Sequence, residues 1–201
     1  MIDVVLAEDH DLIRSALVAL LSLEDDVRVV AELSRGDEIV AAVARLEPHV
    51  AILDVDLPVL DGIAAAATLR RVHPRTGVLI LTNLGRPAVL RRALAAGALG
   101  FLQKTVQADE LISAVRRVSV GERAIDTDLA AQTIAAPDCT LTRRELDVLA
   151  HIAQGSTVNE VARTLFLSAG TVRNYLSAAI SKTNARNRLD AVNIARARGW
   201  I

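Results

Sequence analysis

The sequence holds one cysteine, Cys139, so no intramolecular disulfide can form, and its four histidines (His10, His49, His73, His151) show no zinc-ligand spacing. Aromatic residues make up 2% of the chain: Phe101, Phe166, Tyr175 and Trp200 are too few for the stacking platform of a single-stranded RNA reader. No stretch approaches the roughly 18 uninterrupted apolar residues of a membrane span. The opening MIDVVLAEDH lacks a basic region followed by a long apolar run, so the expectation is a cytoplasmic protein with no signal peptide and no membrane insertion. Lysine is scarce as well, with Lys104 and Lys182 set against 21 arginines.

The chain is nonetheless 52% hydrophobic and 23% charged over 201 residues, a globular mix with room for one large domain or two small ones. Its net charge of −1 hides a gradient. Residues 1–120 carry 13 basic and 16 acidic groups, residues 121–139 carry 1 and 4, and residues 140–201 carry 9 and 4. Charge alone fits either a solvated basic face or a tail that meets a polyanion, because phosphate neutralisation dominates nucleic-acid affinity.

Up to residue 120, short apolar runs (Ile2–Ala7, Val27–Ala31, Val50–Leu53, Val78–Leu81, Gly100–Leu102) alternate with helical patterns near 11–23, 37–46, 62–72, 87–96 and 107–119. The alternation predicts an α/β domain, a doubly wound five-stranded parallel sheet with helices on both faces. Residues 121–139 read as a linker with at most one short helix. Beyond them, four helical patterns predict a small all-α domain: Thr142–Gln154, Val158–Phe166, Gly170–Thr183 and Leu189–Arg198. Thr142 with Glu145 fits a capping box, and Ser168 a helix cap.

In a parallel sheet, ligands bind outside the carboxyl ends of the strands. Those positions hold Glu8 and Asp9 after the first strand, Asp54 ending the third, Thr82 after the fourth and Lys104 after the fifth. Any one of these acids alone is more often a helix cap or a solvated turn. Together they would be costly without a cation, and Mg²⁺ suits them: Asp9 and Asp54 supply carboxylates, and the backbone carbonyl of Asp56 a third ligand. A carboxylate beside Mg²⁺ can accept a phosphoryl group, whose oxygens Lys104 and Thr82 would bind. A lysine in a chain that otherwise uses arginine suggests that the site needs a compact point charge.

These residues resemble the receiver domain of bacterial two-component response regulators over positions 1–120, through LAEDH, AILDVDLPVLDG, ILTN and GFLQK. The resemblance implies that Asp54 accepts phosphate from a sensor histidine kinase, that Glu8 and Asp9 bind Mg²⁺, and that Phe101 is an aromatic rotamer switch turning inward with Thr82. Two features depart from the usual pattern: the acidic pair is Glu-Asp where Asp-Asp is commoner, and Thr105 follows the lysine where aspartate is frequent. Residues 140–201 resemble the LuxR-type helix-turn-helix of the NarL/FixJ family, through LTRRELDVLAHIAQG and NEVARTLFLSAGTVRNYLSAAISKT. GTVRNYLS, ARGWI, SLEDD and GRP are further similar to the DesR-like group, which is associated with membrane-lipid responses.

The third helix of that domain should place Val172, Tyr175 or Leu176, and Ala179 or Ile180 inward. Thr171, Arg173, Asn174, Ser177 and Lys182 are then left for double-stranded DNA. Arg173 can pair with guanine and Asn174 with adenine, whereas Thr171, Ser177 and Lys182 suit phosphate or mixed contacts. An exposed amphipathic helix whose polar residues merely solvate it is the alternative. Asn159, Glu160, Arg186 and Arg188 fit caps or backbone clamps. One module covers a half-site, so a dimer on two half-sites is expected, formed on phosphorylation through helices 11–23 and 107–119.

Three rival readings compete. Asp54-Val55-Asp56 is similar to the nucleophile motif of haloacid-dehalogenase-type phosphatases, but Pro58 and the placement after a third strand argue against an enzyme. A flavodoxin-like cofactor binder would need a glycine-rich loop after the first strand, which is missing. A constitutive DNA binder with an inert receiver is the closest rival.

Overall fold

In the computed structural model, which describes residues 1–83, 85–126, 129–131, 133 and 139–201, the chain forms two compact units. The first contains β1 (Ile2–Ala7), α1 (Asp11–Leu21), β2 (Val27–Leu33), α2 (Ile39–Leu46), β3 (Val50–Asp54), α3 (Gly62–Val72), β4 (Gly77–Thr82), α4 (Pro87–Ala95), β5 (Gly100–Gln103), α5 (Ala108–Ser119) and β6 (Ala124–Ile125). All strand pairs are parallel, in the order β2-β1-β3-β4-β5-β6. The central strands VAILD and GVLILT are buried at every residue, as a sheet covered on both faces requires.

Successive residues of a strand face opposite ways, so the sheet feeds two cores. Leu53, Ile80 and Phe101 pack with Leu69 of α3 and Leu90 of α4, while Leu6, Ile52, Leu79 and Leu81 pack with Leu111 and Val115 of α5. The sheet has six strands where five were expected. Ala124–Ile125 pairs with Gly100–Phe101 inside the stretch read as linker, and two residues are too few to show a period in sequence. The first unit reaches Thr133. Within the expected linker, residues 127–128, 132 and 134–138 lie outside the described residues.

The sheet order reverses between β1 and β3, and the loops after these strands leave side by side. Gly62 lets the β3–α3 loop fold tightly onto its strand, since a Cβ there would stand 1.9 Å from the Asp54 carbonyl oxygen. Asp61 caps α3, accepting from the Ala64 amide at 2.7 Å.

The second unit contains α6 (Arg143–Ala153), α7 (Val158–Thr164), α8 (Ala169–Thr183) and α9 (Arg188–Ala197), with no strand among described residues 139–201. Each helix starts where its capping side chain dictates. Thr142 with Glu145 and Thr157 with Glu160 form reciprocal capping boxes, Ser168 accepts from the Thr171 amide, and Asn187 accepts from those of Leu189 and Asp190. Val148, Leu149, Val161, Val172, Ala179, Ala195 and Trp200 share its core. No helix among the described residues is long and apolar enough to cross a membrane.

Candidate functional site

Glu8 and Asp9 leave the end of β1, and Asp54 ends β3, the adjacent strand. Asp54 pairs in register with Leu81, so Thr82 lies one residue further along β4, and Thr82 in turn pairs with Gln103, one residue before Lys104. Parallel register thus brings Glu8, Asp9, Asp54, Thr82 and Lys104 to one edge of the sheet. The Lys104 amide donates to the Thr82 carbonyl at 2.8 Å, tying the two loops together.

Lys104 Nζ stands 2.6 Å from Glu8 Oε2 and 3.0 Å from Asp54 Oδ2, and the three side chains are 8%, 1% and 3% exposed. Burial works against the ammonium, but the Glu8 and Asp54 carboxylates outweigh it and hold the Lys104 pKa above its ordinary value. Asp54 Oδ1 accepts from the Val55 amide at 2.8 Å, which fixes the carboxylate plane. Thr82 is buried at the same edge, and Asp56 is exposed in the loop beyond.

His10, read from sequence only as one of several scattered histidines, joins this group. Its Nδ1 lies 2.7 Å from Asp9 Oδ1 and 3.2 Å from Glu8 Oε1, and the hydrogen bond to Asp9 foremost raises its pKa. The one signal in sequence was that it directly follows the acidic pair. Ligand atoms of Glu8, Asp9, His10 and Asp54 lie within 4.8 Å of one another, close enough to share a cation. Glu8 Oε2 and Asp9 Oδ1 are buried oxygens whose close neighbours are the Lys104 ammonium at 2.6 Å and the His10 ring at 2.7 Å. Clustered carboxylate oxygens of this kind fit a hard divalent ion.

Phe101 is fully buried, facing Ile80 and Ile125 across the strands.

In the second unit α7, the four-residue turn 165–168 and α8 form a helix-turn-helix. Val172, Leu176, Ala179 and Thr183 are buried, while Tyr175 and Ile180 pack partly against the core. Arg173, Asn174 and Ser177 are exposed together on the opposite face. Thr171 is half-buried and its hydroxyl meets Ser168 Oγ at 2.9 Å. Lys182 differs from the other residues expected to meet DNA, because its Nζ lies 2.9 Å from both carboxylate oxygens of Glu145, which is 4% exposed. The scarcity of lysine marked this residue, yet sequence spacing gave no hint of a partner 37 positions away. Glu160 closes its capping box, and Arg186 pairs with Asp190 at 3.2 Å.

A parallel sheet with a buried acid-lysine site, followed by a helix-turn-helix unit, defines a receiver joined to a DNA-binding module. Residues 4–116 match the response regulator receiver domain, and residues 139–195 match the bacterial regulatory proteins of the luxR family. The chain therefore belongs to the two-component response regulators with a LuxR-type DNA-binding domain; it is a DNA-binding transcription regulator and not an enzyme. It is 39% identical over 201 residues to the transcriptional regulatory protein YvfU of Bacillus subtilis (strain 168), and 36% identical over 201 residues to DesR of the same organism; both alignments cover 100% of each chain. The crystal structure of ChrA, the response regulator of a heme-sensing two-component system, aligns at a TM-score of 0.60 and 32% identity, covering 100% of this chain and 98% of that one.

Proposed function

We propose that this regulator is switched in the cytoplasm by Mg²⁺-dependent phosphorylation of Asp54 from a sensor histidine kinase, and that phosphorylation drives dimerisation and binding to an operator of two half-sites. The observation that carries the reading is the bridge of Lys104 to Asp54 and Glu8, which holds an ammonium where phosphoryl oxygens would arrive. A carboxylate oxygen of Asp54 attacks the phosphorus of a phosphohistidine, the P–N bond breaks, and the imidazole leaves with a proton from water. Glu8, Asp9, Asp54 and the Asp56 carbonyl would hold Mg²⁺, which supplies charge neutralisation for the incoming anion. Lys104 then exchanges a carboxylate for a phosphoryl oxygen, and the Thr82 hydroxyl takes a second.

Lys104 also lines a cavity of about 160 Å³ between α1 and α5, with Ile13, Leu17, Leu20, Val106 and Leu111. Movement of that one side chain therefore reaches both the phosphate site and the α1–α5 face. On α1 and just beyond it, Leu12, Ala16, Ala19 and Leu23 are exposed at helical spacing, with Leu12 84% and Leu23 79% accessible. This apolar stripe supports pairing through residues 11–23 and 107–119. Pairing brings two α8 helices to one duplex, with Arg173, Asn174 and Ser177 toward the groove and Thr171 near the backbone.

The test is binding of the full chain to duplexes enriched from a random pool, with and without acetyl phosphate and Mg²⁺. Phosphodonor should tighten binding at least about tenfold through pairing of two modules, and Asp54→Ala should abolish that gain while keeping the weak monomer affinity. Equal affinity in both conditions would leave only a constitutive binder.

A further inference from the structure

Phe166 sits in the turn between α7 and α8, where the Leu167 amide donates to the Ala162 carbonyl at 2.8 Å and closes α7 in a left-handed cap, and nothing in the fold accounts for a phenylalanine there. Its φ is +54°, in the left-handed region that penalises side chains bearing a Cβ. Elsewhere in this unit such positions are filled by residues suited to them: Gly155 and Gly199 at helix ends, and Asn184 closing α8. Burial does not compensate either, for Phe166 is 95% exposed while Leu165 and Leu167 on each side pack against the core. The chain thus holds one of its few aromatic rings in water, at a conformational cost, two residues before the cap of the recognition helix.

We infer that Phe166 is an apolar DNA contact, seated on a thymine methyl or on deoxyribose at the edge of the groove that α8 enters. This rests on the DNA-binding reading of α8. Three observations favour DNA over a protein partner. The ring lies next to the N-terminus of the recognition helix, the end whose residues approach the base edges. Its surroundings are polar and cationic, with Arg163, Thr164, Ser168 and Arg173 all exposed, rather than an apolar patch a protein would cover. Residues 140–201 also carry 9 basic against 4 acidic groups, complementary to a duplex. Apolar contact with the thymine methyl is a recognised form of direct readout, and the deoxyribose face offers a similar surface.

The test uses the full-length chain and a duplex enriched from a random pool by the wild type, prepared with thymine and again with deoxyuridine. Asparagine tolerates the left-handed turn, so Phe166→Asn should melt no lower than wild type. Its affinity for the thymine duplex should fall about tenfold, as loss of a buried ring implies. The slope of log affinity against log salt should stay unchanged because no phosphate contact is lost. If deoxyuridine weakens the wild type and leaves Phe166→Asn unaffected, the contact is the thymine methyl; if deoxyuridine affects neither, while Phe166→Asn still binds less tightly, it is deoxyribose. Equal affinity of Phe166→Asn and wild type overturns the inference, including where transcription falls, since the ring then serves a protein partner. A wild type that enriches no duplex overturns the DNA-binding reading and this inference together.

Discussion

Asp54 and Lys104 form an ion pair of 3.0 Å with neither side chain more than 8% exposed, and the same ammonium also holds Glu8. The pair is a stability element as well as the proposed signalling one. Lys104→Met leaves two buried carboxylates facing each other and should destabilise the first unit by about 3–5 kcal/mol, the usual cost of breaking a buried pair from one side. Millimolar Mg²⁺ should restore part of that loss, and Asp54→Asn should cost less because Glu8 still partners the lysine. Urea unfolding with and without Mg²⁺ checks all three.

Leu12 is 84% exposed, so Leu12→Glu should change stability by no more than about 0.5 kcal/mol. A charge in the middle of the proposed apolar interface should nevertheless weaken phosphorylation-dependent dimerisation at least about tenfold. Sedimentation velocity in the presence of beryllofluoride separates this outcome from a failure of phosphoryl binding, which Leu12→Glu should leave intact.

The Glu145–Lys182 pair ties the recognition helix to α6. Burial pushes the Glu145 carboxyl up, but Lys182 and the Thr142 amide and hydroxyl prevail and hold its pKa below the ordinary 4.5. A depressed carboxyl stabilises the fold fully above that ordinary value, and the contribution is lost as pH falls through the lower folded-state value. Lys182→Met should cost about 1–3 kcal/mol, less than a fully buried pair since Lys182 is 39% exposed, and should move the acid transition upward in pH. Trp200, the single tryptophan and part of this core, reports the transition by fluorescence. The salt slope of DNA binding should not change, because this lysine is spent on Glu145 rather than on phosphate.

Val59 has φ +71° and is 72% exposed, a β-branched residue in the left-handed region five positions after Asp54. Val59→Asn should stabilise the first unit by about 1 kcal/mol by relieving that strain. An unchanged melting temperature would show that the loop accommodates valine at no cost.

Much of this architecture was legible in the sequence, because the signals were local. Alternating apolar runs predicted five parallel strands, and Thr142 and Ser168 were read as the caps they are, although the helical patterns drawn from Thr142 and Gly170 start at Arg143 and Ala169. The acidic edge was legible for the same reason: each member sits at the end of a strand. What escaped was set by contacts distant in sequence or by backbone conformation. β6 is two residues long, Lys182 finds its partner 37 residues earlier, and the left-handed turns at Val59 and Phe166 leave no mark in a pattern of polar and apolar residues. Phe101 was marked by position, yet its burial depends on side chains distant in sequence, among them Leu53, Leu69 and Leu90.

The most direct test of the central claim is the intact mass of the chain after treatment with acetyl phosphate and Mg²⁺, with the modified residue mapped by peptide analysis. A single phosphoryl group on Asp54, absent from Asp54→Ala and accompanied by conversion of monomer to dimer, is the predicted result. An unmodified chain, or a phosphoryl group on Asp9 or Asp56 instead, would contradict it.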